Sequence, residues 1–267
     1  MGIKKLGPYL RKQKIGVRET TLAAYGGQRL CIDVPILMYR FKATTQDVVQ
    51  CFEEQYNRFV ANQITPIYVF DGRPPKCKDH ELKKRQQVKT NMKKKAEDTT
   101  LPIFERILAS ERVASIPLSA DYKALKKWLD ERGASWLVAN GDAEKTCSML
   151  TMEGKADAVL SEDFDTLAYG GKKLITGFSL FSDVLVEYDL ATIQATLHFD
   201  HAQFVDFCIL CGSDLCLKIR NVGPAKARKF IAAHRNIEQT VQFLDQKKYQ
   251  VPEHFDYVAA RAEFLHQ

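Results

Sequence analysis

Residues 66–71 read PIYVFD, a short apolar run closed by an aspartate. The same pattern recurs on either side of it. Apolar runs at 29–34, 135–139, 156–160 and 173–176 are each bounded by turn residues, and such runs read as buried strands. Helical patterns lie between them. One spans about 45–62, a second starts near His80 and runs through the lysines, and a third runs from Ser119 as N-cap to Gly133 just past its end. A fourth opens near Asp142 and ends near Glu153. Strands that alternate with helices imply an α/β fold, a parallel sheet flanked by helices. Pro102 and Pro117 punctuate a helical excursion inserted in that layer, and beyond Ala202 only helical signals remain.

Acids stand at the strand ends. Asp33 ends CID and Asp71 ends YVFD, Asp142 and Glu144 follow LVANG, and Asp163 and Asp165 follow VLSE. In an open parallel sheet the carboxyl ends of the strands form the ligand crevice. Six carboxylates thus converge on one edge, with Asp214 in CGSDLC as a possible seventh. A cluster of one sign is costly unless cations neutralise it, and hard divalent ions such as Mg²⁺ prefer oxygen donors. Two such ions serve phosphodiester hydrolysis by activating water and stabilising the leaving oxygen. Any one of these aspartates alone could be a helix N-cap, Asp142 above all.

The chain has 267 residues, 45% hydrophobic and 27% charged, enough for a core without covalent staples. Its net charge of +6 is unevenly spread. Between Arg73 and Lys95, ten lysines and arginines face only Asp79 and Glu81. A second, acid-free basic stretch runs from Lys218 to Arg235. Two such stretches suit a polyanionic partner better than a solvated helix face. The seven cysteines are odd in number and several sit in apolar runs, which suits reduced core residues of an intracellular protein. Cys208 and Cys211, near Cys216, His198 and His201, read as core packing rather than a zinc site. No stretch is long and apolar enough for a membrane span, MGIKKLGPYL has no apolar leader region, and Leu6 does not fit a myristoylation signal.

Six segments in order resemble the flap endonucleases of the XPG-type 5′ nuclease superfamily. They are MGIKKL (1–6), CIDVPILMYRF (31–41), IYVFDGRPPKCKDHELKKR (67–85), GDAEKTC (141–147), SEDFDTLAYG (161–170) and CILCGSDLCLKIRNVGPAKARKFI (208–231). The resemblance implies a PIN-like sheet with a helical cap insertion and a C-terminal helix–two-turn–helix part. Its divisions would be 1–85 and 120–201 for the nuclease core, 86–119 for the cap, and 202–267 for the duplex-binding part. It implies a structure-specific 5′ flap endonuclease, with 5′→3′ exonuclease activity as an accompaniment, acting in DNA replication, repair or recombination. RNA cleavage by the same fold and a non-catalytic DNA-binding scaffold are the alternatives.

The resemblance also implies roles for single residues. Asp33, Asp71, Asp142, Glu144, Asp163, Asp165 and Asp214 match the carboxylates that hold two Mg²⁺, for which Mn²⁺ would substitute. Lys78 and Arg85 match the basic pair at the scissile phosphate; seven apart, they share a helix face with Lys89 roughly in line. Tyr39 matches a base-stacking aromatic, its plainer alternative being a helix packing residue. Gly2 matches an N-terminal DNA contact. Gly223, Lys226 and Arg228 fall in the hairpin that grips duplex phosphates, where K⁺ is also expected. The run Lys93–Lys95 fits DNA contact in the cap better than a nuclear localisation signal. The partner expected is branched or flapped DNA, met by a monomer without membrane contact. Sliding-clamp binding is not supported, since no QxxΦxxFF pattern occurs. The site of action would be the nucleus in a cellular setting, or the host nucleus or a cytoplasmic replication site in a viral one. Two departures stand out: Asp142 replaces the family's usual Glu, and the Asp33–Asp71 interval is short.

Overall fold

The computed structural model describes residues 2–45, 47–73, 79–245 and 247–266, with backbone alone for 79–85. Five parallel strands form where the apolar runs fall: β2 (Arg29–Asp33), β3 (Thr65–Phe70), β4 (Ser135–Val138), β5 (Ala158–Leu160) and β6 (Lys173–Thr176). Two strands not legible as apolar runs, β1 (Val17–Thr20) and β7 (Leu185–Asp189), extend the sheet antiparallel to give the order β1-β7-β6-β5-β2-β3-β4. The sheet is therefore mixed. The reason β7 escaped notice is Glu187, a charge inside the strand that is 3% exposed. It is satisfied there by Arg18 Nε at 2.8 Å and the Tyr25 hydroxyl at 2.7 Å. Pro66 is tolerated inside the sheet because pairing with β4 begins only at Ile67.

The helices follow from short-range chemistry. Helix α1 (Leu6–Gln13) precedes β1, and α2 (Val34–Lys42) starts directly at the end of β2 with Pro35 in its first turn. Helix α3 (Val48–Ala61) begins where Asp47 accepts the Gln50 N–H at 3.1 Å, later than the periodicity suggested. The lysine-rich α4 (Asp79–Glu97) and α5 (Ile103–Ala114) pack together as a helical hairpin. Helix α6 (Ser119–Glu131) has Leu118, not Ser119, at its cap position, where Asp121 accepts the Leu118 N–H at 2.7 Å. Gly133 stands past its end at φ +64°, the left-handed turn expected there. Then come α7 (Ala143–Met152), the single-turn α8 (Asp165–Ala168) and α9 (Leu190–Leu197). The C-terminal part is helical: α10 (His201–Cys211), α11 (Pro224–His234), α12 (Ile237–Phe243) and α13 (Tyr257–Phe264). Among the described residues no helix is long and apolar enough to cross a membrane.

Strand alternation sorts the core. Leu30, Ile32, Tyr68, Phe70 and Leu160 point to one face, against Leu37, Phe52, Phe59 and Leu125. Cys31, Val69 and Val159 point to the other, against Ala143 and Cys147 of α7. A larger cluster joins α1, β6 and β7 to the C-terminal helices. Cys208 and Cys211 are buried within it.

The C-terminal helices are locked by Arg261 of α13. It forms two bonds to Asp206 of α10, 2.7 and 2.8 Å, and two to Glu238 of α12, 2.7 and 2.9 Å. Asp206 is 3% exposed and also accepts the Ile237 N–H at 3.0 Å. Burial pushes its carboxyl upward even against the guanidinium. Losing one partner of a buried pair costs more than the pair itself contributes. Arg261→Ala is expected to destabilise the chain by about 3 kcal/mol in urea titrations. Arg261→Ala combined with Asp206→Asn should recover part of that loss, because no buried charge is then stranded.

Candidate active site

The alternation that sorts the core also aims the acids. Asp33 shares the parity of Cys31, Asp71 that of Val69, and Ser161 that of Val159, so all three face α7. The first turn of α7 carries Glu144, and the loop after β5 carries Asp163 and leads into α8 at Asp165. β2 lies between β5 and β3, so the sheet reverses its order there and leaves a crevice at the strand ends.

Two carboxylate groups result. Asp71, Asp142 and Glu144 each offer an oxygen, all within 4.8 Å of one another. Glu144, Asp163 and Asp165 do the same. Glu144 is common to both groups. All but Asp71 are buried, Asp165 to 1% exposure. Asp33 sits beside them at 3% exposure, its Oδ2 accepting the Ser161 hydroxyl at 2.5 Å. Its carboxyl is pushed well above the usual range, first by burial and then by Glu144, Asp163 and Asp71, against the pull of Ser161. Bringing these acids together therefore costs energy that nearby cations would relieve.

Local bonds fix the set. The Ser161 hydroxyl accepts the Asp163 N–H and Asp163 Oδ1 accepts the Asp165 N–H, both at 2.9 Å. Asp71 Oδ1 accepts the Ala143 N–H at 2.9 Å and so ties the start of α7 to the end of β3. Asp142 occupies the cap position of α7, yet its side chain does not bond the helix. The same end of α7 is braced through Lys145, which meets Glu263 of α13 at 2.6 Å.

The N-terminus closes the site. Gly2 has φ +70°, and a Cβ there would lie 1.8 Å from Asp163 Oδ1 and 2.8 Å from Asp165 Oδ1. The Lys4 N–H donates to the Gly212 carbonyl at 2.8 Å, which fastens this segment to the end of α10. Asp214, half-buried in the loop after α10, belongs to neither carboxylate group.

The remaining sequence candidates are dispersed around this centre. Lys78 lies outside the described residues, and Arg85 lies in α4 among residues described by backbone alone. Lys89 is half-buried on the same helix. Tyr39 is 48% exposed on α2. Gly223 caps α11; on that helix Lys226 donates to the Asn221 carbonyl at 2.8 Å and lies over the Tyr249 ring, and Arg228 is half-buried. Two neighbours escaped the sequence reading. Ser161 is signalled only by its strand parity. Tyr122 of α6 packs on Phe70, with ring centroids 6.5 Å apart. Its hydroxyl is held protonated above the usual range by burial, then by Tyr39, Asp71, Asp121 and Asp33. No spacing rule links it to those residues. A cavity of about 410 Å³ lined by Lys14, Arg18, Lys173, Glu187 and Asp189 shares no residue with the acidic centre.

A strand-end crevice lined with carboxylates, in a mainly parallel sheet whose β3 is followed in the chain by a basic helical hairpin, is the build of an α/β nuclease core. The XPG N-terminal domain matches residues 1–92 and the XPG I-region residues 133–214. Flap endonuclease 1 of Entamoeba histolytica is 34% identical over 289 residues, covering 100% of this chain and 76% of the relative. The Homo sapiens flap endonuclease 1 is 32% identical over 267 residues, covering 93% and 70%. The chain belongs to the flap endonuclease family of structure-specific nucleases. Among solved structures, the catalytic core of Rad2 in complex with DNA substrate superposes with a TM-score of 0.77 at 17% identity, covering 99% of this chain and 86% of that one. Flap endonuclease-1 from Methanococcus jannaschii gives 0.68 at 19%, covering 94% and 82%.

The contact at Gly2 is sharp enough to test. Gly2→Ala must push the Asp163 carboxylate aside and also holds alanine in a left-handed conformation, which costs about 1–2 kcal/mol. It is expected to lower cleavage strongly while leaving thermal stability within a few degrees of wild type. An unchanged single-turnover rate would show that the N-terminal segment yields instead of the carboxylate.

Proposed function

We propose that this chain cuts DNA at 5′ flaps and related single-strand/duplex junctions, with two Mg²⁺ ions held by its strand-end carboxylates. The observation that carries this reading is the pair of carboxylate groups sharing Glu144. The donor set suits the ion, since it is all oxygen, clustered and buried among like charges. Asp71, Asp142 and Glu144 would hold one ion, and Glu144, Asp163 and Asp165 the other. Asp33 and Asp214 would act from the margin, through bound water. When bound, the ions supply a water nucleophile at neutral pH and stabilise the leaving oxygen; Mn²⁺ would substitute.

The chain's own residues do the rest. Ser161 keeps Asp33 turned toward the centre. Asp71 anchors α7 so that Glu144 stays between the two groups. Lys78 and Arg85 would meet the scissile phosphate, with Lys89 further along α4, and Tyr39 would stack a base near the cut. Gly2 would lie against the substrate's backbone beside Asp163. Gly223, Lys226 and Arg228, with a K⁺ ion at the turn, would hold the duplex. The catalytic core of Rad2 is known in complex with a DNA substrate, which favours DNA as the partner.

Metal dependence has two readouts. Cleavage should require Mg²⁺ or Mn²⁺, and Asp163→Ala and Asp165→Ala should each abolish it while flap binding survives. Independently of activity, Mg²⁺ at a hundred times its dissociation constant should stabilise the fold by about 2.7 kcal/mol. Glu144→Gln, which touches both groups, should remove most of that gain. Robust cleavage by either aspartate variant defeats the two-metal assignment.

Substrate preference follows from α2 and α3, which are joined by residues 43–47 alone. A longer segment there would wedge the junction and help hold a one-nucleotide 3′ flap. Without it, a one-nucleotide 3′ flap should speed cleavage by less than about tenfold, the worth of a modest apolar contact. Single-turnover rates on single-flap and double-flap substrates measure this. A large preference for the double flap means that other residues rebuild the pocket.

A further inference from the structure

Between the acidic centre and the α10–α11 hairpin lies a group of lysines that the proposed chemistry does not use. The segment 2–5 spans this gap, with Gly2 against Asp163 and the Lys4 N–H on the Gly212 carbonyl. Gly212 itself has φ +103° and is crowded by two lysine stems. A Cβ there would lie 2.8 Å from Cδ of Lys218 and 3.3 Å from Cδ of Lys4. The absent side chain is what lets the two stems run together over the backbone. Lys4 and Lys5 are exposed and Lys218 is half-buried, so the stems pack while the ammonium groups reach solvent. Lys5 is held at φ 61°, a conformation that costs a residue with a Cβ about 1 kcal/mol, so the segment does not lie there by default.

Burial lowers the Lys218 ammonium below the usual lysine value, and Lys4 and Lys5 push it the same way. Among the described residues none of the three has an acidic ion-pair partner. Cations brought together on fixed backbone repel one another unless an anion sits among them. We propose that Lys4 and Lys218, supported by Lys5, form a subsite for one backbone phosphate of the duplex, between the carboxylate centre and the hairpin at Gly223. Its role is register: it fixes how far the duplex sits from the carboxylates, and phosphate contacts position a duplex without reading its sequence. The subsite rests on the flap-nuclease reading above.

The test is equilibrium binding of a labelled 5′-flap DNA in chelator, by anisotropy against salt, for wild type and Lys4→Gln/Lys218→Gln. The slope of log affinity against log salt should fall by about one, the loss of a single phosphate contact. Methylphosphonates placed one at a time along the duplex strands then locate the contact. Wild type should lose affinity at a particular position to which the double variant is indifferent. Lys4→Arg/Lys218→Arg should restore both the slope and that sensitivity, which separates charge from packing. Unchanged slope with an unchanged methylphosphonate profile overturns the subsite while wild type still binds and cuts flaps. A weakened variant that keeps the wild-type profile overturns it too, since the loss is then structural. A wild type that neither binds nor cuts flapped DNA overturns the nuclease reading and the subsite with it.

Discussion

Carboxylates of one sign are gathered at the end of a sheet with most of their surface out of water, and the rest of the molecule is arranged around that repulsion. Asp33 registers it directly, since burial and three acidic neighbours hold its carboxyl well above the usual range. Folding alone does not favour such an assembly; the sheet imposes it. Strand parity turns Asp33, Asp71 and Ser161 toward α7, and no side-chain rearrangement can undo that without shifting a register shared with two neighbouring strands. The acids therefore stay together because the backbone ladder is stronger than their repulsion.

The stabilising contacts lie at a distance from the centre. Aromatic contacts such as Phe52 with Tyr68 and Phe59 with Phe178 fill one face of the sheet. The Arg261 network closes the C-terminal helices, and α13 then reaches back to α7 through Glu263 and to Tyr169, just past α8, through Phe264 and His266. Glu144 and Asp165 thus stand on elements braced from outside the crevice. Like charges held this close push apart, and a site proposed to hold hard cations would need such bracing.

The sequence made the centre legible because each acid follows an apolar run, and that relation is local. PIYVFD and RLCID carry both the strand and its terminal carboxylate within a few residues. Legibility failed where the determining contact is distant. β7 contains Glu187, which reads as exposed until Arg18 and Tyr25 are seen to satisfy it from another strand and the turn after it. Tyr122 feels the charges of Asp71 and Asp33 only because α6 packs its ring on Phe70. Gly2 was marked by resemblance, but its reason is steric, namely the carboxylates of Asp163 and Asp165 against its α-carbon.

Asp142 stands at the cap of α7, where an aspartate ordinarily accepts a backbone N–H of the first turn. The Ala143 N–H, which lies one residue before those a cap side chain takes, is held by Asp71 from the end of β3. That bond pins Asp71 at the mouth of the crevice although it is exposed, and the Asp142 carboxylate lies within reach of Asp71 and Glu144. The family's usual glutamate has one more methylene at this position. The shorter acid still joins the group, with an oxygen within 4.8 Å of one from Asp71 and one from Glu144. Loss of Asp71 would therefore remove an oxygen donor and, with it, the bond that ties the start of α7 to the end of β3.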